Sequence, residues 1–198
     1  MKKTVSILLC LLLAAGLFSG CGNGTGAANT ADAGRPLSVV VTIFPIYDWV
    51  RQLAGDGGET EITMLLDSGV DLHSYQPTVA DILKIVNCDL FIYVGGESDA
   101  WVEDALTEAG DDGPQIIDLL ETLGDAAKEE ELVEGMEAEA DEEDAGALEY
   151  DEHVWLSLQN ARTLCSVIAE ALGRLDPANA ARYADNLAAY TAELAALD

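Results

Sequence analysis

The stretch Ser38-Val39-Val40-Val41-Thr42-Ile43-Phe44 is a β-branched run, and Pro45 then turns the chain into Ile46–Ala54. β-Branched side chains suit a pleated, buried surface, so the run reads as a strand. In the following segment Ile46, Trp49, Val50 and Leu53 recur at helical spacing, and Asp56-Gly57-Gly58 ends it. The same alternation then repeats. Glu61–Leu66 is a second strand, and Thr78–Asn87 is a helix with Thr78 as N-cap and Val79, Ile82, Leu83 and Val86 on one face. Asp89–Val94 is a third strand, closed by Gly95-Gly96; Trp101–Ala109 is helical and Gln115–Leu119 is a fourth strand. Strands alternating with short helices predict an α/β layered domain with a mostly parallel sheet flanked by helices. In such sheets, ligand groups gather at the carboxyl ends of the strands.

Farther along, Asn160–Leu175 is helical, and Asp176-Pro177 predicts an N-cap with proline in the first turn of a last helix. Tyr183, Leu187, Tyr190, Leu194 and Leu197 form an apolar stripe on that helix. The stripe is expected to need a partner surface from outside this sequence, and to favour association if left uncovered. Between Lys128 and Glu152 the composition changes: 13 of the 37 acidic residues fall there. A self-repelling, solvated loop is the plain reading of such a run. Asp141-Glu-Glu-Asp144 lacks the glycine and the alternating ligands of an EF-hand.

Outward toward the N-terminus, Lys2 and Lys3 precede an apolar run from Val5 to Phe18, which predicts an export signal over residues 1–20. Phe18-Ser19-Gly20-Cys21 resembles the lipobox of bacterial lipoproteins, which implies lipidation of Cys21 and a lipid anchor to the membrane. Residues 21–35, rich in Gly, Ala, Asn and Thr, read as a flexible tether. The 198 residues carry 9 Lys+Arg against 37 Asp+Glu, a formal net charge of -28. That balance excludes a nucleic-acid binder, because few groups could neutralise phosphates. It equally excludes a large basic membrane-surface patch. Cys88 and Cys165 show no CxxC spacing; buried inert thiols are the better reading, with a disulfide between them as the alternative.

Only two histidines occur. His73 lies in Asp71-Leu72-His73-Ser74-Tyr75-Gln76-Pro77-Thr78, between a strand and a helix N-terminus. His153 lies in Tyr150-Asp151-Glu152-His153-Val154-Trp155-Leu156, at the exit from the acidic run. Each sits on a loop at an element boundary, where function is commonly mounted on a rigid scaffold. Two imidazoles with carboxylates nearby suit a divalent transition metal, although from spacing alone two histidines so far apart are more often unrelated surface or structural residues.

The two segments, together with Thr42-Ile43-Phe44-Pro45-Ile46, resemble the zinc/manganese solute-binding lipoproteins of bacterial ABC transporters over residues 36–198. In that family the histidine motifs read Asp-Pro-His-Ser-Tyr-Glu-Pro-Thr and Asp-Pro-His-Val-Trp-Leu. The resemblance implies His73 and His153 as metal ligands, Tyr75 and Trp155 as packing supports, and Zn2+ (or Mn2+) as the bound ion. It also implies an ABC permease as partner, a location on the outer side of the cytoplasmic membrane or in the periplasm, and no enzymatic activity. Residues 36–175 would then be the N-terminal metal-binding lobe, with the acidic loop at 128–152. Residues 176–198 would begin the long inter-lobe helix, and the C-terminal lobe with the remaining ligands is expected to lie outside this sequence. Two other functions stay open: a metal-dependent hydrolase with Glu152 or Asp151 as general base, and an adhesin-like surface lipoprotein with a structural metal. Neither HExxH nor GxSxG occurs to support the hydrolase.

Overall fold

The computed structural model describes residues 35–67, 69–107, 110, 113–128 and 150–197. The signal segment, Cys21, the tether up to residue 34 and the acidic run over 129–149 lie outside the described residues.

Four strands form one parallel sheet in the order β2-β1-β3-β4: β1 Leu37–Val41, β2 Thr60–Met64, β3 Leu90–Tyr93 and β4 Gln115–Asp118. Val39 pairs with Ile62 on one side and Leu90 on the other, and Leu90 pairs in turn with Gln115. In β1, the consecutive residues Val39, Val40 and Val41 are all buried, as are Leu90, Phe91 and Ile92 in β3. Successive side chains point to opposite faces, so burial of neighbours means that both faces are covered. That is why these strands read as unbroken apolar runs, while β2 at the edge alternates weakly.

Parallel strands require crossovers, and helices supply them. α1 (Phe44–Ala54) starts with Pro45 in its first turn and buries Ile46, Trp49, Val50 and Leu53. α2 (Val79–Val86) is closed at its start by a capping box: the Thr78 hydroxyl accepts from Asp81 N–H, and the Asp81 carboxylate accepts from Thr78 N–H. α3 spans Trp101–Thr107, and the short α4 Leu119–Leu123 follows β4 directly. α5 (Leu158–Leu175) is capped by Ser157 and buries Leu164, Cys165, Ile168 and Leu172. Cys88 and Cys165 are buried and not bonded to each other, and burial pushes both thiols up to about 12. Among the described residues no helix is long and apolar enough to cross a membrane.

Two expectations for the last helix are corrected. α6 spans Ala180–Leu197, so it starts three residues later than the Asp-Pro pair suggests. Residues 177–179 make a turn instead, and the Asp176 carboxylate accepts hydrogen bonds from the Asn179 amide and the Tyr183 hydroxyl, both at 2.7 Å. The apolar stripe is not left for an outside surface. Tyr183 and Leu194 are buried, and Leu187 and Tyr190 pack against the core of this same lobe. α6 lies against α5 and α1; Asn186 donates to the Leu53 carbonyl (2.9 Å), and Arg182 pairs with Glu59 (2.9 Å). Of the stripe, Leu197 alone is strongly exposed.

Candidate metal centre

His73 sits in a single 3-10 turn, Leu72–Ser74, on the connection leaving the carboxyl end of β2. His153 directly precedes another 3-10 turn, Val154–Leu156. The two local structures are built alike. Asp71 Oδ1 accepts from His73 N–H at 3.0 Å, and Asp151 Oδ1 accepts from His153 N–H at 2.9 Å. An aspartate bonding the backbone two residues on is the Asx turn, which fixes the chain direction at the histidine. The middle residues of the two Asp-x-His triplets, Leu72 and Glu152, are both buried.

These turns bring together two imidazoles that lie 80 residues apart in the chain: their ring centres are 5.6 Å apart, with the planes inclined by 47°. A zinc ion held at about 2 Å by Nε2 of two imidazoles at a tetrahedral angle places the ring centres about 5 Å apart. The observed spacing fits that demand. The other ring nitrogens are engaged by protein oxygen. His73 Nδ1 lies 2.9 Å from Ser98 Oγ, and His153 Nδ1 lies 3.0 Å from Asp151 Oδ1. A hydrogen bond at Nδ1 orients the ring and leaves coordination to Nε2, the usual arrangement of a metal-binding histidine. Among the described residues no group of three or more His, Cys, Asp or Glu side chains is placed to hold a metal ion.

Trp155 lies beside His153, ring centres 5.2 Å apart, and so limits where that imidazole can swing. Tyr75 is placed differently. It is buried edge-on against Trp101 at 5.6 Å, Trp101 meets Phe91, and Phe91 stacks on Tyr93. Burial raises the Tyr75 hydroxyl well above the ordinary tyrosine range. Its place is in an aromatic layer that carries the His73 turn.

The segment Gly95-Gly96-Glu97-Ser98-Asp99, at the carboxyl end of β3, adjoins this centre; in the sequence only its Gly95-Gly96 pair was legible, as a strand terminator. Glu152 Oε1 accepts from Ser98 N–H at 2.9 Å, and Oε2 stands 3.9 Å from His73 Nδ1. Gly96 has φ 80° and ψ -165°, a region open essentially to glycine, and a Cβ there would strike the Glu152 carboxylate. Gly96→Ala is therefore expected to destabilise the fold by about 1–3 kcal/mol. Thermal melting checks this; a variant as stable as the parent would show that the turn relaxes freely.

Asp99 is almost fully buried, and its Oδ2 accepts from the N–H groups of Val94 and Gly95. Burial pushes its carboxyl up to about 6 from 3.8; the two backbone bonds oppose this and the Glu152 charge adds to it. The folded state thus holds this proton more tightly than the unfolded chain. The associated stability is complete below about pH 3.8 and is lost as pH rises through about 6. Ionisation of this group in the fold then costs about 3 kcal/mol. Asp99→Asn keeps an acceptor for both N–H groups and removes the titration. The stability of the variant relative to the parent should rise between pH 4 and 6 and then level off, as read by urea melts across that range. A constant difference would refute the assignment.

A parallel α/β lobe with two imidazoles brought together on its connecting turns defines the class of fold and of candidate site. The chain belongs to the zinc-uptake complex component A (ZnuA) family, whose model matches residues 39–198. It is 33% identical to the high-affinity zinc uptake system protein ZnuA of Bacillus subtilis, over 97% of this chain and 57% of that protein. It is 32% identical to the manganese ABC transporter substrate-binding lipoprotein PsaA of Streptococcus pneumoniae, over 100% of this chain and 60% of that one. The crystal structure of Zn(II)-bound AdcA from S. pneumoniae superposes with a TM-score of 0.64 at 28% identity, covering 82% of this chain and 31% of that chain. The chain therefore spans little more than half the length of ZnuA and PsaA, and less of AdcA.

Proposed function

We propose that this chain supplies one lobe of an extracytoplasmic receptor that captures zinc, with manganese as the alternative cargo, for delivery to an ABC-type permease. The convergence of His73 and His153 carries this reading: two side chains remote in sequence stand at a separation that one shared ion can bridge. Their Nδ1 atoms are backed by Ser98 and Asp151, which favours ligation through Nε2. The relatives' names agree on transport of a divalent transition metal and divide between zinc and manganese, which leaves two metals to compare. Acylation at Cys21 would keep the receptor at the membrane.

The test is competition between the full chain and a chromophoric chelator, for zinc and for manganese, at low and high salt. Zinc bound in one-to-one ratio and retained at high salt is the expected result, because ligation survives screening. Binding that disappears with salt would assign the metal to the chain's diffuse negative charge and sink the proposal.

A further inference from the structure

Glu152 stands out among the described side chains. It is one of three buried polar residues, it lies close enough to buried Asp99 for their charges to oppose each other, and its Oε2 makes no hydrogen bond. Burying carboxylates together disfavours folding unless something is obtained in exchange. The exchange is visible in the contacts. Through Oε1 the carboxylate holds Ser98 N–H at 2.9 Å, and the hydroxyl of that same serine meets His73 Nδ1 at 2.9 Å. Through Oε2 it faces His73 Nδ1 directly, at 3.9 Å. Its backbone runs straight into His153. Glu152 is thus the chain neighbour of the residue that bears one imidazole and is linked to the other by its facing carboxylate and through Ser98. The absence of a side chain at Gly96 is what makes room for it.

We propose that Glu152 is the positioning residue of the centre: it keeps the His73 proton on Nδ1, leaves Nε2 as the donor, and sets the two imidazoles against each other before any ion arrives. This rests on the metal-capture reading above. A ligand role for Glu152 itself is disfavoured, because the two histidines and this carboxylate do not form a group placed to hold one ion. A carboxylate facing Nδ1–H makes the opposite nitrogen more basic and lowers the cost of ordering the ring, and such outer partners change metal affinity about ten- to hundredfold.

Long-range 15N–1H NMR of the metal-free full chain, at a pH above the imidazole range, reads the tautomer of each histidine without any metal. In the parent, His73 should carry its proton on Nδ1. Glu152→Gln should move His73 toward the Nε2–H form while the protein melts no lower, since a buried charge is removed. Zinc affinity should fall about ten- to hundredfold. Ser98→Ala should retain the Nδ1–H form, because Oε2 can take the bond, whereas Ser98→Ala combined with Glu152→Gln should lose it. An Nε2–H tautomer in the parent overturns the proposal even if no variant folds. So does an unchanged tautomer in Glu152→Gln. A shifted tautomer in a chain that binds no zinc would instead refute the capture reading and leave the positioning role standing.

Discussion

Replacing His73 or His153 by alanine is expected to lower zinc affinity by more than about a hundredfold, beyond what outer partners of a ligand contribute. Replacing both should abolish site binding altogether. The fold should be indifferent to these changes. The two imidazoles keep 31% and 47% of their side-chain surface exposed, and surface substitutions of this kind shift stability by no more than about 0.5 kcal/mol. Loss of affinity with an unaltered melting curve is therefore the signature of ligands, and competition titration beside thermal melting reads both. Full zinc affinity in the double variant would mean that the ring-to-ring approach serves packing alone. Each half of the pair is held by its own Asx turn, so each single variant should leave the other imidazole in place.

The second large effect lies beneath the centre rather than in it. Phe91→Ala is expected to cost about 3–5 kcal/mol, as truncation of a buried phenylalanine leaves a cavity that its surroundings refill only partly. Phe91 is wholly buried in the central strand β3, with Trp101 against it and Tyr75 against Trp101. The cavity opens within the aromatic layer that carries the His73 turn, so metal affinity should weaken as well, though less than on removal of a ligand. Phe91→Leu, which keeps most of the volume, should restore the greater part of both. Urea melts and zinc titrations of the two variants decide it. A Phe91→Ala protein of parental stability would show that the aromatic layer repacks around the gap.

Much of this architecture was readable before any coordinates. The β-branched run at Ser38–Ile43, the Thr78 cap and the apolar spacing of Ala161, Leu164, Ile168 and Leu172 each respond to a local rule, and each is found in the expected kind of element. The boundaries were less legible where local signals compete. Asp176-Pro177 has the form of a helix start, yet the Asp176 carboxylate is taken by Asn179 and by Tyr183, one helical turn into α6, and the helix begins only after the turn closes. The Gly95-Gly96 pair was legible as the end of a strand. Its further role, clearing space for Glu152, depends on a residue more than 50 positions away and leaves no mark in the local pattern.

Composition and periodicity were enough to determine an α/β lobe with a parallel sheet, strong negative charge, and two histidines on loops at element boundaries, because these follow from side-chain chemistry at short range. Only the tertiary structure decided that the two imidazoles meet, that Ser98 and Glu152 stand behind one of them, and that α6 covers its apolar stripe with α1 and α5 of its own lobe. Those are contacts between segments tens of residues apart. The packing of the whole sheet and its helices sets such distances, and no local rule encodes them.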